Sequence, residues 1–221
     1  MKDLVDVQVN DKMDEIWVVE FDTDSAIRFK QELFRAYDEN PNKPIVININ
    51  SDGGSVDGLF LMLDAIDAIK SIAPESLKIL TVATGRAMSA AAILLSSGDI
   101  RFSSKNTSIM VHEISSGFWG TKADLDIELK EIDRLNTRVL EILVENCNLS
   151  GGIEQARELF NRNAYLTPEK AREIGLIDII GYPKIIERKA YELVICNPTE
   201  DCLVSEPKKK KTTKAKKGAK K

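Results

Sequence analysis

Apolar residues recur along the chain in two alternating patterns. Short, largely β-branched runs predict strands of a buried sheet, and they lie at residues 16–19, 44–50, 80–83, 109–112 and 176–180. Apolar residues spaced three and four apart predict helices that bury one face. The helical segments are 25–37, 56–71, 89–95, 123–146 and a short one that opens at Thr167-Pro168 and ends at Gly175.

This alternation of strand and helix indicates the fold class. A strand, a helix and a further strand make the unit from which parallel sheets are built. We therefore expect an α/β fold with a mostly parallel sheet. In open sheets of this kind, ligands bind beyond the carboxyl ends of the strands. The loops that leave those ends are the strongest candidates for chemistry.

The first such loop is Ser51-Asp52-Gly53-Gly54-Ser55. Two adjacent glycines let bare backbone approach a substrate and permit a positive φ. An ordinary tight turn before a helix has the same composition, so this loop alone leaves both interpretations open.

The second loop, residues 84–91, places Ser89 at the start of a helix among small residues. Free N–H groups at a helix N-terminus would stabilise the oxyanion that forms when a serine attacks a carbonyl. A plain N-cap serine is the alternative.

His112, at the end of the run 109–112, is the only histidine in the chain. A histidine beside a core strand is often a structural residue. Imidazole is nevertheless the side chain whose ordinary pKa lies near neutrality, and a serine nucleophile needs such a base. His112 is therefore the obvious candidate for a general base.

The order and spacing of these segments resemble the proteolytic subunit of the Clp protease, the ClpP family. The segments that carry the resemblance are NSDGGSV at 50–56, GRAMSAAA at 85–92, MVHE at 110–113, YLTPEKA at 165–171 and EIGLID at 173–178. Any one of them would be unspecific, whereas the spaced set is specific. The resemblance extends over residues 16–181.

The resemblance implies a ClpP/crotonase-type fold and a serine endopeptidase. Ser89 would be the nucleophile and His112 its base, and the N–H groups of Gly54 and Ala90 would form the oxyanion hole. Residues 123–146 would be the protruding handle helix, in a handle region of about 114–146, through which the family's rings stack. Residues 115–120 would match the glycine-containing strand that lies along the bound peptide.

One position departs from the family pattern. The third member of the family's triad is an aspartate, and the matching residue here is Asn163. An asparagine carbonyl can fix the imidazole tautomer but brings no charge to the imidazolium. An Asp→Asn change in a serine protease costs about 10⁴ in kcat. Asp178 is an alternative acid, although an aspartate at a strand end commonly faces solvent.

Composition narrows the chemistry further. One histidine and three cysteines, at positions 147, 196 and 202, predict neither a His/Cys zinc site nor a disulfide framework. The chain has no apolar run of about 18 residues and no apolar leader, so we expect a cytoplasmic protein without a membrane span. It also lacks the glycine-rich G-x-x-x-x-G-K-[ST] loop, so we expect neither ATP binding by that route nor a cofactor.

Charge is distributed unevenly. Residues 208–221 hold nine lysines and no acid, whereas residues 1–207 hold 22 Lys and Arg against 35 Asp and Glu, a formal charge of −13. Such a tail is predicted to be disordered. It would tether the protein to nucleic acid or another polyanion, or serve as a solvating tail or an arm to a neighbouring acidic subunit.

Short ClpP-like proteases of phages, some tied to head maturation, are another group that the chain resembles. That resemblance implies a capsid-associated setting.

The predicted organisation has four parts. They are an N-terminal segment (1–15), a ClpP-like peptidase domain (16–190), a C-terminal extension (191–207) and the Lys-rich tail (208–221). The N-terminal segment is too short for the parts that contact the family's ATP-driven unfoldase, so that partner stays open.

We predict cleavage of unfolded proteins or short peptides inside a homo-oligomeric ring. Two alternatives stay open. One is a ring subunit with weak or no catalysis and a structural or peptide-binding role, for which Asn163 argues. The other is acyl-CoA chemistry on the related crotonase fold.

Overall fold

The computed structural model describes the backbone of residues 15–188 and 190–196, and the side chains of residues 15–185. Its strands are β1 (Glu15–Val18), β2 (Ile45–Ser51), β3 (Ile79–Met88), β4 (Ile100–Ser103), β5 (Ser108–Val111), β6 (Ala164–Leu166), β7 (Ile179–Ile180), β8 (Tyr182–Arg188) and β9 (Ala190–Cys196). Its helices are α1 (Thr23–Glu39), α2 (Val56–Ile72), α3 (Ala90–Ser96), α4 (Lys122–Asn146), α5 (Gly152–Asn161) and α6 (Pro168–Glu173).

Within the described residues, seven strands form one sheet that branches at β3. The main path runs β1-β2-β3-β4-β7, and all its neighbours are parallel. Residues 80–83 of β3 pair with β4, whereas residues 86–88 pair with β5. β6 adds to β5 in the antiparallel sense. The α/β prediction with a mostly parallel sheet is therefore confirmed.

Both faces of the central strands are covered, which is why β2 reads as a continuous apolar run. Ile45, Ile47 and Ile49 belong to the larger core, which includes buried side chains of α1, α2 and α3. Val46 lies in a smaller cluster on the other face. That cluster also contains Leu80, Val82, Phe102 and Ile185. Since Ile185 belongs to β8, this strand contributes a buried side chain to the second face.

The helices begin where local chemistry satisfies their free N–H groups. The Thr121 side chain accepts from Asp124 N–H and the Asp124 carboxylate accepts from Thr121 N–H, which makes a capping box for α4. Thr167 caps α6, with Pro168 at its first position, as the sequence predicted.

Helix α4 packs on the body only near its C-terminal end. Val139, Leu140, Ile142 and Leu143 are buried. Leu125 and Leu129 are on the same apolar stripe one to two heptads earlier, yet they are 38% and 60% exposed. The first half of the helix therefore carries an apolar stripe that no described part of the chain covers.

Two local predictions were wrong. Residues 84–88 were predicted to leave the strand, but they continue β3 because their backbone pairs with β5. Residues 115–120 were predicted to match a strand, but no strand is formed there and Trp119 is fully exposed. Residues 115–120 take part in no strand pairing within the described chain.

Two predicted domain limits fall within the described residues, and the first of them, between residues 15 and 16, lies inside β1. The limit at residue 190 falls inside the β8–β9 hairpin, which spans residues 182–196. The predicted Lys-rich tail, the rest of the C-terminal extension beyond residue 196 and the N-terminal segment up to residue 14 lie outside the described residues.

Candidate active site

Ser89 occupies a strained turn between β3 and α3. Its backbone has φ +55° and ψ −125°, and a positive φ is unusual for a residue with a side chain. Its N–H donates to the carbonyl of Met110 at 2.8 Å. A sharp strand-to-helix turn of this kind presents a serine hydroxyl at the edge of a sheet.

The imidazole of His112 lies within hydrogen-bond reach of this hydroxyl. Its Nε2 is 2.8 Å from Oγ of Ser89. The parallel pairing of β3 with β5 sets Met88 opposite Met110, so the residues that follow on each strand are brought together although they are 23 positions apart. This distance suits direct proton transfer.

Two backbone N–H groups border the space beside Ser89. Ala90 is the first residue of α3, so its N–H has no partner within the helix. Gly54 forms an isolated parallel β-bridge with Phe21. The hydrogen bond of this bridge is donated by the N–H of Ser55 to the Phe21 carbonyl, at 2.6 Å, and not by the N–H of Gly54. Neither the Gly54 nor the Ala90 N–H has an acceptor among the described residues. Both are available to an oxyanion.

Gly53 has a role that sequence reasoning missed. A Cβ on this residue would lie 2.7 Å from Cβ of Ser89 and 2.8 Å from the carbonyl oxygen of Met88. Its φ of +101° also favours glycine. The sequence attributed the paired glycines to approach of a substrate. At Gly53, bare backbone instead lets the loop close on the serine turn.

A pocket of about 150 Å³ opens beside Ser89 and His112. Its other lining is largely apolar and comes from α2, α3, α4, α5 and the end of β5. Those apolar residues are Val56, Leu59, Ile93, Val111, Ile114, Val139 and Phe160. Two of them, Val139 and Phe160, were not singled out from the sequence. Val139 had only the apolar periodicity of α4 as a signal, and Phe160 lies on α5, a helix that was not predicted.

A family model described as Clp protease matches residues 9–184, well over half of the chain. The chain belongs to the Clp protease family. This confirms the resemblance found in the sequence and the ClpP-type fold. A member of the Clp protease family is in general a peptidase that acts on peptide substrates and assembles into oligomers. The roles of individual residues rest on the geometry of the site.

Asn163, the candidate for the third triad position, lies in the turn that enters β6, and β6 pairs with the strand that precedes His112. Val111 pairs with Ala164, so the same register sets Asn163 opposite His112. Asn163 has φ +46° and is exposed. No side-chain hydrogen bond joins it to His112, whose second ring nitrogen has no partner among the described residues.

Asp178, the alternative acid, is held by Arg101 at the end of β4. Arg101 donates to its carboxylate from Nη2 at 2.6 Å, from Nε at 3.0 Å and from the backbone at 2.8 Å. Partial burial would raise the pKa of Asp178, but the hydrogen bonds and charge of Arg101 outweigh it and hold that pKa below its ordinary value. Both carboxylate oxygens are engaged by Arg101, so Asp178 does not support the imidazole.

The described part of this Clp protease family member contains neither a metal cluster nor a membrane helix. No group of three or more His, Cys, Asp or Glu side chains is gathered as a metal site there. None of its helices combines the length and the apolar character needed to cross a bilayer.

Proposed function

We propose that this protein hydrolyses peptide bonds by a serine mechanism, with Ser89 as nucleophile and His112 as general base. The observation that carries the proposal is the 2.8 Å contact between Oγ of Ser89 and Nε2 of His112. It supports the proposal because a neutral imidazole at that distance can take the hydroxyl proton as the serine attacks.

The reaction follows from the placement of these groups. Oγ of Ser89 attacks the scissile carbonyl carbon while its proton passes to Nε2 of His112. The carbonyl π electrons move onto oxygen, where the N–H groups of Gly54 and Ala90 stabilise the charge. Collapse of this intermediate expels the amine, which takes the proton from the imidazolium. Water then cleaves the acyl-enzyme, again with His112 as base.

The pocket supports a preference for substrates with an apolar side chain next to the scissile bond. Leu59, Ile93 and Phe160 offer hydrocarbon surface, and about 150 Å³ accommodates a single medium-sized side chain. A fluorogenic peptide with leucine or methionine at this position is therefore the substrate of choice.

Hydrolysis of that peptide by wild type, Ser89→Ala and His112→Ala tests the mechanism. Both variants should lose at least about 10³ of kcat, because nucleophile and base act as a unit. Ser71→Ala is the matched control, since Ser71 is an exposed serine near the end of α2 that does not line the pocket, and it should retain activity. A fluorophosphonate should label Ser89 in wild type. Absence of labelling at every pH between about 6 and 9 would contradict the proposal.

The pH profile gives an independent check. Because a general base must be unprotonated, the rate should rise with pH as the base loses its proton. A flat rate between about pH 5 and 8 would remove His112 from the mechanism.

A second candidate function is that of a ring subunit with weak or no catalysis. The observation that favours it is Asn163, which offers no charge and makes no hydrogen bond to His112. Under this alternative, wild type and Ser89→Ala hydrolyse the peptide at equal rates.

We propose further that the subunits form a chamber through α4 and that the Lys-rich tail places the assembly near packaged DNA during phage head maturation. The uncovered apolar stripe of α4 supports the first part, and the nine lysines of residues 208–221 support the second. DNA should retain the full chain in a strongly salt-dependent manner and release a variant that ends at residue 207. Equal retention of the two proteins on DNA would contradict the proposed role of the Lys-rich tail.

A further inference from the structure

An ion pair joins the two loops that form the site. Nη1 of Arg86 donates to both carboxylate oxygens of Asp52 at 2.8 Å. Arg86 lies on β3 three residues before Ser89, and Asp52 directly precedes Gly53 and Gly54. The pair therefore links the strand that leads into the serine turn to the loop that carries one of the two free N–H groups.

The backbone holds this loop at few points. β2 and β3 pair regularly from Ile45 to Ile49, after which the register shifts and only Ser51 pairs again, with Ala87. Oγ of Ser51 accepts from Gly53 N–H at 3.0 Å, but this bond lies within the loop itself. Among the described residues, the Arg86–Asp52 contact is the only side-chain hydrogen bond between the loop and β3.

The pair is too exposed to be a stability device. The side chains of Arg86 and Asp52 are 52% and 67% exposed, and exposed ion pairs add little to global stability. Catalysis is far more sensitive to position, since a displacement of about 1 Å in a reacting group costs about 10² in rate. A weak contact can therefore matter greatly if it fixes the loop where Gly54 N–H meets the oxyanion.

We propose that Arg86 and Asp52 are positioning residues that hold the Gly53–Gly54 peptide against the Ser89 turn. This inference rests on the proposed function of Ser89. Neither side chain touches the reacting atoms in this role. The pair acts through Gly54, and so it affects the transition state more than the binding of the ground state.

The test uses Asp52→Asn, Arg86→Gln, their double variant and the charge-reversed pair Asp52→Arg with Arg86→Asp. Each single variant should lower kcat about tenfold with KM changed less than about twofold, because only oxyanion stabilisation is weakened. The double variant should cost no more than either single one, since both break the same contact. The charge-reversed pair should recover part of kcat.

Lys170→Gln and Glu173→Gln are the matched controls. That pair is joined at 2.6 Å with side chains 56% and 64% exposed, on α6. These variants should leave kcat and KM unchanged. A loss of kcat equal to that of Asp52→Asn would mean that removal of any surface ion pair has this effect, and would overturn the inference.

Two other outcomes would also overturn it. An unchanged kcat in Asp52→Asn and Arg86→Gln would show a surface pair without a role in the site. A raised KM with constant kcat would show that the pair contacts substrate instead.

Hydrogen exchange separates this inference from the proposed function. The amides of residues 52–55 should exchange several-fold faster in Asp52→Asn than in wild type, because the loop loses its side-chain link to β3. If wild type shows no hydrolysis that depends on Ser89, the proposed function fails while this measurement still decides the positioning role. Unchanged exchange would overturn the inference by itself.

Discussion

A side chain at Gly53 would collide with the turn that carries Ser89. In Gly53→Ala the new Cβ would meet Cβ of Ser89 at 2.7 Å and the Met88 carbonyl oxygen at 2.8 Å. Because the obstacle is largely backbone, the loop or the serine turn must shift. We expect kcat to fall by about 10² or more, with a loss of about 1–3 kcal/mol in the free energy of unfolding from backbone strain.

Gly152→Ala separates strain from collision. Gly152 also has a positive φ, of +56°, but a Cβ on this residue would meet nothing within 4 Å. This variant should lose a similar free energy of unfolding and keep its kcat. Denaturant unfolding and peptide hydrolysis of both variants measure the two effects. An active Gly53→Ala would show that the loop need not touch the serine turn.

We expect the residue at position 163 to affect kcat, because the β5–β6 pairing places it on the side of His112. In Asn163→Asp a carboxylate would stand opposite His112 and could stabilise the imidazolium that forms during attack, so kcat should rise by about tenfold or more. Aspartate tolerates the left-handed backbone of this position as asparagine does. Measured kcat values test this, and Asn163→Ala is the control. An Asn163→Asp variant no faster than wild type would show that the imidazole needs no charged partner.

The Arg101–Asp178 ion pair joins β4 to the segment that enters β7. Arg101 also contacts the end of α4, because its Nη1 donates to the Asn146 carbonyl. Arg101 is 13% exposed, so its charge would be left poorly compensated in Asp178→Asn. After allowance for solvent screening, we expect this variant to lose about 1–2 kcal/mol in the free energy of unfolding at pH 7.

The pH dependence of this loss has a definite sign. The pKa of Asp178 in the folded protein lies below its ordinary value of 3.8, so the pair stabilises the fold above that value and the stabilisation disappears as pH falls through the folded pKa. The difference between wild type and Asp178→Asn should therefore shrink below about pH 4. Urea unfolding at several pH values measures it, with Glu173→Gln as an exposed control. A difference that stays constant down to about pH 2 would contradict the assignment.

The same elements show what the sequence could predict. Helices α2 and α6 have local signals, an apolar period and a Thr-Pro cap, and their predicted starts agree with the structure. β4 has only four residues, including Arg101, which is too short a run to show a periodic apolar pattern. Residues 84–88 also lack such a pattern, because they are held in a strand by their pairing with β5. The partners Arg86 and Asp52 are 34 positions apart, and no local pattern predicts such a contact. Ser89 and His112 were singled out by the order of motifs and by resemblance to a family, not by periodicity.

For the molecule as a whole, the open question is how the uncovered stripe of α4 is buried. Leu125 and Leu129 lie in line with Val139 and Leu143, which pack on the body, so the stripe continues past the edge of the subunit. An exposed apolar row on a long helix is best covered by the same helix of another copy, in a symmetric contact. Leu129→Asp should therefore lower the oligomeric state, because a charge would be buried in that contact.

Light scattering and electron microscopy of the purified protein measure this assembly. Ile153→Asp, at another exposed apolar position on a helix, serves as the control. Leu129→Asp should yield smaller particles, while Ile153→Asp keeps the size of wild type. The Ser89–His112 contact is made within one chain, so a fluorophosphonate should still label the smaller particles, more slowly if assembly orders residues 115–120. If Leu129→Asp assembles as wild type does, subunits meet through another surface and α4 is not the element that joins them.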